Sequence, residues 1–409
     1  MKIDLQKMFP LAKDFFYALI TATFFSAFIY MAYFNVICKV CDSLFGIIAI
    51  VLLLHITKRA LLLSGFFIGL LWFYWIGYSF KYYGVNPIVE PFVAFGFGIV
   101  YTLFFGSMAL TNKIYIRALI FFGLTFISPY GFNWLKPELL FINSYFGTSK
   151  LDFAIVLTAL VLTSIFTGKL KYIPLLLLFS ALHFNNPIPT IPSLKIDLVA
   201  TNLNQFEKWN PDNLENIINM NLTYIDDAIN KKYDAVVLPE SAFPMNLNEA
   251  PILLEYLSEK SKWITIITGA LVEENGKHYN VTYHFEDGNY TVAKKVVLVP
   301  FGEYIPLPSF FEKWVSETIF HGASDFTSAS VPSDYTIKGV KFRNAICYEA
   351  STDKIYENTP SYIIATSNNG WFLPSIEPTL QNLLFKYYAR KYNVIIFHSA
   401  NPAGTGIIY

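Results

Sequence analysis

The sequence predicts an N-terminal α-helical transmembrane bundle followed by a C-terminal α/β domain. Hydrophobic residues make up 54% of the 409 residues and charged residues only 15%, whereas soluble domains carry roughly 25% charged residues. The apolar segments are concentrated in residues 15–184, and beyond a proline-rich linker the chain alternates strands and helices. We therefore expect a transmembrane domain over 1–184, a linker over 185–193 and an α/β domain over 194–409.

Short polar loops divide the first half into seven apolar segments. These lie at 15–34, 43–55, 60–80, 88–110, 115–130, 152–167 and 172–184. A helix needs about 20 apolar residues to cross a bilayer, so the first, third and fourth segments are long enough. The second and the last two are short, which fits tilted or interfacial helices but also buried core helices. The first segment follows lysines, as a signal peptide would, but its length and the lack of a small-residue cleavage site favour an uncleaved helix.

The distribution of positive charge predicts the orientation of these helices. If the N-terminus is cytoplasmic, the inside segments contain most of the Lys and Arg residues and the outside loops contain few. Positive charge is retained on the cytoplasmic side, so with seven spans everything after residue 184 lies outside. Thirty basic residues balance thirty acidic ones, and without a basic run we expect no nucleic-acid partner.

The second half predicts a sheet covered by helices. Strands are expected at 195–200, 234–238, 263–270, 296–300, 362–366 and 394–398, helices at 211–231, 249–260 and 376–391, and hairpin turns at 286–289 and 338–339. Wholly apolar strands that alternate with helices indicate a sheet whose faces are both covered.

Three polar residues lie at the ends of these strands: Glu240, Lys295 and Cys347. Taken singly, Lys and Glu at a strand end are most often solvated, and a free cysteine is most often a small buried hydrophobe. Together they supply an acyl-transfer apparatus. A carboxylate can take the proton of a thiol, and a fixed cation can stabilise the oxyanion that forms after the thiolate attacks.

The residues around these three carry a resemblance to a known family. Residues 239–242 (Pro-Glu-Ser-Ala), Lys295 with 299–306 (Val-Pro-Phe-Gly-Glu-Tyr-Ile-Pro) and 346–349 (Ile-Cys-Tyr-Glu) resemble the Glu-Lys-Cys signature of the nitrilase superfamily. On a chain with an N-terminal membrane bundle, this form resembles the apolipoprotein N-acyltransferase family. The resemblance implies that the C-terminal domain is a nitrilase-like α-β-β-α sandwich.

The resemblance also implies roles for individual residues. Glu240 matches the general base, Lys295 the oxyanion-stabilising lysine and Cys347 the nucleophile. Lys294 is adjacent, but Lys295 has the family's spacing to the proline and glutamate that follow.

Further residues match supporting positions of the family. Glu303 matches a glutamate that supports the site, Tyr348 and Glu349 match the pair that holds the cysteine, and Trp209 aligns with a tryptophan near the acyl-chain entrance. Residues 367–372 match the family's Ser-Asn-Asp-Ala-Trp-Phe loop, with Asn369 and Gly370 as departures.

The implied reaction has two steps on the periplasmic side of a bacterial inner membrane. Cys347 would take an acyl chain from a phosphatidylethanolamine-like phospholipid as a thioester, and the amine of a diacylglyceryl-cysteine lipoprotein would then accept it. Membrane lipid is the surrounding partner, a monomer is expected, and no cofactor is required. The apolar stretch 307–311 with Trp314 would form a lid or a membrane-dipping loop.

Two other functions fit the same residues. One is a membrane-anchored amidase or nitrilase-type hydrolase that uses water as the acceptor. The other is a catalytically silent nitrilase-like domain that serves as a membrane scaffold.

The cysteines near the N-terminus and the histidines give weaker signals. Cys38 and Cys41 form a CxxC pair, which can be redox-active or half of a zinc site, but no second pair accompanies it. The six histidines show no ligand spacing, so no metal is predicted. The family usually continues past the strand at 394–398 to a final membrane helix, whereas this sequence stops at Tyr409. Two interpretations stay open, a short branch of the family or an incomplete sequence, so we predict no eighth span and leave the completeness of the last sheet strands open.

Overall fold

The computed structural model describes residues 5–184, 189–300, 302–304 and 326–409, with side chains from Pro10 onward. The chain divides into two compact units. The first comprises Met1–Phe80, Asn86–Pro129 and Asn133–Asn186, and the second comprises Lys81–Val85, Tyr130–Phe132 and Pro187–Tyr409. Two short segments that lie among the apolar helices in the sequence therefore belong to the second unit.

The described residues of the first unit are mainly helical. Its α-helices are α1 (Leu5–Tyr33), α2 (Lys39–His55), α3 (Lys58–Phe73), α4 (Val89–Gly106), α5 (Ile114–Leu124) and α6 (Lys150–Ile165). A 3₁₀ helix covers Gly168–Ala181, where the last apolar segment was predicted. Pro174 lies inside it and lacks the N–H that an α-helix needs at an interior position.

Four helices among the described residues are long and apolar enough to cross a membrane. They are Pro10–Tyr33, Lys58–Tyr83, Val89–Leu110 and Ile114–Gly131. They coincide with the first, third, fourth and fifth predicted segments, which confirms the membrane part of the predicted fold class. The count of seven spans stays a prediction.

Helices α3 and α4 pack closely because α3 carries two glycines four residues apart. A Cβ added at Gly65 would lie 2.5 Å from the carbonyl oxygen of Tyr101, and one added at Gly69 would lie 2.7 Å from that of Phe97. In an apolar medium helix association depends on close packing, which small residues at this spacing permit.

The second unit is built on two five-stranded sheets in the described part of the chain. The first contains, in spatial order, β1 (Ile196–Leu198), β2 (Ala235–Val237), β3 (Thr265–Glu274), β4 (Lys277–Glu286) and β5 (Asn289–Lys294). The second contains, in spatial order, β6 (Asp334–Ile337), β7 (Val340–Ile346), β8 (Tyr362–Asn368), β9 (Ile395–Asn401) and β10 (Gly406–Ile408).

Each sheet has parallel strands flanked by antiparallel ones. In the first sheet β1, β2 and β3 are parallel, and β4 and β5 continue it as antiparallel hairpins. In the second sheet β7, β8 and β9 are parallel, and β6 and β10 pair antiparallel at the two edges. The carboxyl ends of parallel strands are where α/β sheets usually place their functional side chains.

Helices and sheets form four layers. After a short helix, α7 (Gln205–Lys208), helices α8 (Leu214–Asn230) and α9 (Pro251–Lys260) bury apolar side chains against the first sheet. The facing sides of the two sheets bury Val237 and Ile267 together with Ile364 and Phe397. Helix α10 (Glu377–Tyr392) packs against the second sheet, where the Phe385 ring meets the His398 ring at 5.0 Å. This order is the predicted α-β-β-α sandwich, so the second part of the fold prediction is also confirmed.

Candidate active site

The structure brings the three predicted catalytic residues together from two sheets. Glu240 comes shortly after β2, Lys295 directly follows β5 of the same sheet, and Cys347 directly follows β7 of the other sheet. Lys295 Nζ lies 3.8 Å from Glu240 Oε1, and the charges of both residues act on the Cys347 thiol. One carboxylate, one ammonium and one thiol therefore share a single site.

The predicted strand at 296–300 is wrong. Lys295 directly follows a strand instead of beginning one, and the backbone N–H groups of the two residues after it donate to Glu349 Oε1. The N–H of Ile346 donates to the other oxygen, Glu349 Oε2, at 2.7 Å. Burial raises the pKa of Glu349 to about 7, opposed by Lys295 and by these three N–H donors. Glu349 thus ties the backbone after Lys295 to the backbone before Cys347.

Both carboxylate oxygens of Glu240 accept hydrogen bonds. The side-chain amide of Asn280 donates to Oε1 at 2.7 Å, and the backbone N–H of Asn368 donates to Oε2 at 2.8 Å. The same Asn280 amide nitrogen lies 3.1 Å from Glu303 Oε1. These donors hold the Glu240 carboxylate in one orientation, which is compatible with its predicted role as general base.

The backbone around Glu240 is held from two sides. The buried Lys208 ammonium donates to the Glu240 carbonyl oxygen at 2.8 Å. Burial lowers the pKa of Lys208 to about 7, although the charge of Glu240 opposes the shift. On the other side, a Cβ added at Gly269 would lie 2.6 Å from Glu240 Cα and 2.4 Å from the backbone nitrogen of Ser241. Strand β3 can approach this turn only because it carries a glycine there.

Lys295 is a buried cation between two carboxylates. Its Nζ lies 2.8 Å from Glu303 Oε2 and 3.8 Å from Glu240 Oε1, and only 1% of its side chain is exposed. Burial lowers the pKa of Lys295, but the charges of Glu303 and Glu240 outweigh burial and raise it above its ordinary value. Lys295 therefore stays protonated at neutral pH and supplies a fixed positive charge.

Cys347 adopts a left-handed backbone conformation, with φ of 54°. This conformation costs a non-glycine residue about 1–2 kcal/mol. The residue is partly exposed, whereas its neighbours Ile346 and Tyr348 are buried. Burial of the sulfur and the charge of Glu240 raise the pKa of the Cys347 thiol, and Lys295 opposes them. At neutral pH the residue is therefore a thiol, and a nucleophilic role, as predicted, would require a base.

Tyr348 and Trp209 are held by contacts with other residues. The Tyr348 hydroxyl donates to the Gly131 carbonyl at 3.2 Å, and its ring stacks on Phe132 with centroids 6.0 Å apart. Trp209 is 37% exposed, and its ring lies 6.3 Å from that of Trp371. All of these residues belong to the second unit.

The ring of Trp371 is the centre of an aromatic cluster. Tyr83 stacks on it at 5.8 Å, and Tyr82 meets it edge-on at 5.4 Å. The Tyr82 ring also contacts Phe206 at 4.7 Å. Members of this cluster come from distant parts of the sequence, so no local pattern indicated it.

The loop at 367–372 connects the site to its surroundings. Ser367 Oγ lies 2.8 Å from His398 Nε2, and the next residue, Asn368, donates its N–H to Glu240. Asn369, one of the departures from the family's loop, donates its side-chain amide to Gln381 Oε1 at 3.1 Å. The departure therefore supplies a contact that reaches helix α10.

Sequence reasoning missed several polar residues of the site. Asn280, Lys208, Glu377 and Gln381 are all buried. Asn280 begins the buried stretch of β4, and Glu377 and Gln381 lie one turn apart on α10. Polar residues inside otherwise buried elements were the available signal, because buried polar groups need partners.

Other predicted features lie elsewhere. Cys38 and Cys41 form a disulfide at the start of α2, so neither is a free thiol. The predicted lid at 307–311 with Trp314 lies outside the described residues, as do three residues of the 299–306 motif. In the part of the chain that is described, no three His, Cys, Asp or Glu side chains group as metal ligands.

The fold and site define a membrane protein whose second unit is an α-β-β-α sandwich with a carboxylate, an ammonium and a thiol in one site. A CN-hydrolase superfamily protein of Xanthomonas campestris, of solved structure, aligns with 54% of this chain and 80% of its own, with a TM-score of 0.39 and 12% identity.

The comparisons of sequence identify the family. Residues 12–184 match the model of the apolipoprotein N-acyltransferase integral membrane domain. The chain is 41% identical over 393 residues to an apolipoprotein N-acyltransferase of Wolinella succinogenes, covering 96% of this chain and 95% of the relative. It is 36% identical over 395 residues to that of Helicobacter hepaticus, covering 94% and 98%. The chain belongs to the apolipoprotein N-acyltransferase family.

Proposed function

We propose that this protein transfers an acyl chain from a phospholipid, through a thioester on Cys347, to the N-terminal amine of diacylglyceryl-cysteine lipoproteins. The names of its relatives support this reaction. The observation that carries the proposal is the buried Lys295 ammonium between Glu240 and Glu303, whose charges act together on the Cys347 thiol. A base, an oxyanion-stabilising cation and a nucleophile are what covalent acyl transfer requires.

In the first half-reaction Glu240 accepts the thiol proton as the Cys347 sulfur attacks the ester carbonyl of the phospholipid. The carbonyl oxygen becomes an oxyanion, and the Lys295 ammonium stabilises it. The carbon–oxygen bond to the glycerol then breaks. The leaving alkoxide takes the proton back from Glu240, which releases a lysophospholipid and leaves the acyl thioester.

In the second half-reaction the lipoprotein amine attacks the thioester carbonyl and gives a proton to Glu240. The carbon–sulfur bond breaks, and its electron pair returns to the sulfur of Cys347. The thiolate then takes the proton from Glu240, which restores the thiol and the carboxylate. Because the first product leaves before the second substrate reacts, the kinetics should be ping-pong.

The membrane unit has a physical role in this proposal. Moving an acyl chain into water costs about 0.8 kcal/mol per methylene, or about 12 kcal/mol for fifteen of them. An enzyme anchored in the bilayer can take both lipid substrates from the membrane and so avoids that cost. The positive-inside pattern supports a catalytic unit on the periplasmic side of the inner membrane. We also propose a phosphatidylethanolamine-like donor and a monomeric enzyme.

Mass spectrometry of the peptide that contains Cys347 tests the proposal. The full chain in phospholipid vesicles should gain the mass of one acyl chain on Cys347, and Cys347→Ala should not. Addition of a diacylglyceryl-cysteine peptide should then remove the adduct and yield N-acylated peptide. Free fatty acid without acylated peptide would instead indicate the membrane-anchored hydrolase. Wild-type protein that forms no adduct would overturn the proposal and favour the silent scaffold.

A further inference from the structure

A buried amide on helix α10 contacts the sulfur of the predicted nucleophile. Gln381 Nε2 lies 3.6 Å from Cys347 Sγ, within the range of a hydrogen bond to sulfur, and Gln381 is fully buried. The resemblance to the family assigned no role to Gln381 or to any other residue of α10.

Two neighbours determine which end of the Gln381 amide faces the sulfur. Asn369 Nδ2 donates to Gln381 Oε1 at 3.1 Å, and Gln381 Nε2 lies 3.4 Å from Glu377 Oε1. If the amide were flipped, its NH₂ group would face the NH₂ group of Asn369. The neighbours therefore direct the N–H donors of Gln381 toward Glu377 and Cys347.

A donor at this position favours the charged form of the sulfur. Burial and the charge of Glu240 both raise the pKa of the Cys347 thiol, and Lys295 is the cation that opposes them. Lys295 is also engaged by Glu303 at 2.8 Å. A neutral N–H donor stabilises a thiolate because it bonds more strongly to the charged sulfur than to the neutral one.

Glu377 is suited to hold Gln381 without adding charge. It is fully buried, and its Oε2 has no hydrogen-bond partner in the described part of the chain. Burial first, and then the charge of Glu240, raise the pKa of Glu377 well above its ordinary value. In its neutral form the carboxyl group accepts from Gln381 through Oε1. Its ionised form would add to the negative charges that raise the pKa of the Cys347 thiol.

We propose that Gln381 is a catalytic residue that donates a hydrogen bond to the Cys347 thiolate in both half-reactions, and that Glu377 is a positioning residue that acts through Gln381. The thiolate forms when Glu240 takes the thiol proton, and it forms again when the carbon–sulfur bond of the thioester breaks and its electron pair stays on sulfur. The role in transfer rests on the proposed function, whereas the effect on the thiol does not.

The test is the pH dependence of Cys347 alkylation by iodoacetamide in the full chain in detergent. Cys347 is suited to it because the other two cysteines form a disulfide. Gln381→Ala should raise the apparent pKa by about one unit, which is a tenfold loss of thiolate at a given pH. Gln381→Glu should raise it further, because a carboxylate replaces the donor. In the acyl-transfer assay Gln381→Ala should lower kcat with little change in KM.

Variants of Glu377 separate positioning from charge. Glu377→Gln keeps a neutral acceptor, so its alkylation profile should match the wild type. Glu377→Ala releases one hold on Gln381, so its apparent pKa should lie between those of the wild type and Gln381→Ala. A lower apparent pKa in Glu377→Gln would mean that Glu377 carries charge, and it would overturn the positioning role.

Asn382 provides the matched control on the same helix. Its side-chain amide donates to the Gly404 carbonyl at 3.1 Å, so Asn382→Ala also removes an amide hydrogen bond, but not one to sulfur. Its alkylation profile should match the wild type. If Gln381→Ala does not fold, Gln381→Glu and Glu377→Ala decide the question.

The two proposals fail separately. This inference would be overturned if the pH profile of Cys347 alkylation in Gln381→Ala or Gln381→Glu superimposed on that of Asn382→Ala. A shifted profile in a protein that never acylates a peptide would overturn the proposed function and leave the donor role to Gln381.

Discussion

Replacement of Lys295 by methionine removes a buried charge and keeps a side chain of similar length. The lost charge lies 2.8 Å from Glu303 and 3.8 Å from Glu240. With an effective dielectric constant of 20, those distances correspond to attractions of about 6 and about 4 kcal/mol. Desolvation of the ammonium offsets much of this, and removing one partner of a buried pair typically costs about 3–5 kcal/mol. We expect Lys295→Met to lower the free energy of unfolding by that amount.

The same substitution should slow thioester formation by about 10²- to 10³-fold, the usual effect of removing one oxyanion donor. Single-turnover appearance of the acyl adduct on Cys347 measures the rate, and unfolding in detergent measures stability. The double variant Lys295→Met with Glu303→Gln removes one of the two unpaired carboxylate charges. It should recover part of the stability and none of the rate.

Lys294 is the matched control for this experiment. It pairs with Glu274 at 2.5 Å near the surface, where an ion pair contributes about 0–1 kcal/mol. Lys294→Met should therefore leave thioester formation unchanged. Lys295→Met that forms the thioester within threefold of the wild-type rate would refute the role of Lys295 as oxyanion stabiliser, as would recovery of the rate by the double variant.

Three further predictions follow from the geometry. Gly269→Ala should reduce peptide acylation by about 10²-fold in a protein that still folds, because the new Cβ would lie 2.6 Å from Glu240 Cα and displace the Glu240 carboxylate. Acylation near the wild-type level would contradict this prediction. Glu349→Ala leaves three backbone N–H groups without their acceptor. The free energy of unfolding should therefore fall by at least about 3 kcal/mol, and a melting curve that matches the wild type would disprove this. His398 is buried, which lowers its pKa from 6.5 to about 4 against a hydrogen bond to a backbone carbonyl. Between pH 4 and pH 6.5 the His398 imidazole is protonated in the unfolded chain and neutral in the folded one. The free energy of unfolding should therefore fall by about 3 kcal/mol as the pH drops from about 6.5 to about 4. His398→Gln should remove this component, and equal slopes of stability against pH in both proteins would exclude it.

Much of the fold could be predicted because it depends on local patterns. Strands covered on both faces appear as continuous apolar runs, so β2, β8 and β9 were found within a few residues. The turns at 286–289 and 338–339 were found because their residues tolerate the backbone conformations of tight hairpins. The final strand, β10, is only three residues long and was missed.

The prediction failed where a distant side chain replaces the local pattern. Residues 296–300 have the composition of a buried strand, yet two of their N–H groups bond to Glu349, some fifty residues further along the chain. Strand propensity describes a preference for a pleated, half-buried surface, and a better acceptor elsewhere overrides it.

The sequence by itself predicted the two-part architecture and the three candidate catalytic residues, because apolar periodicity and short motifs are local properties of the chain. Only the tertiary structure decided how those residues are charged and oriented. Asn280 and Asn368 fix the Glu240 carboxylate, and Gln381 faces the Cys347 sulfur. The physical reason is that pKa values and hydrogen bonds depend on distances of a few ångströms between groups far apart in the sequence.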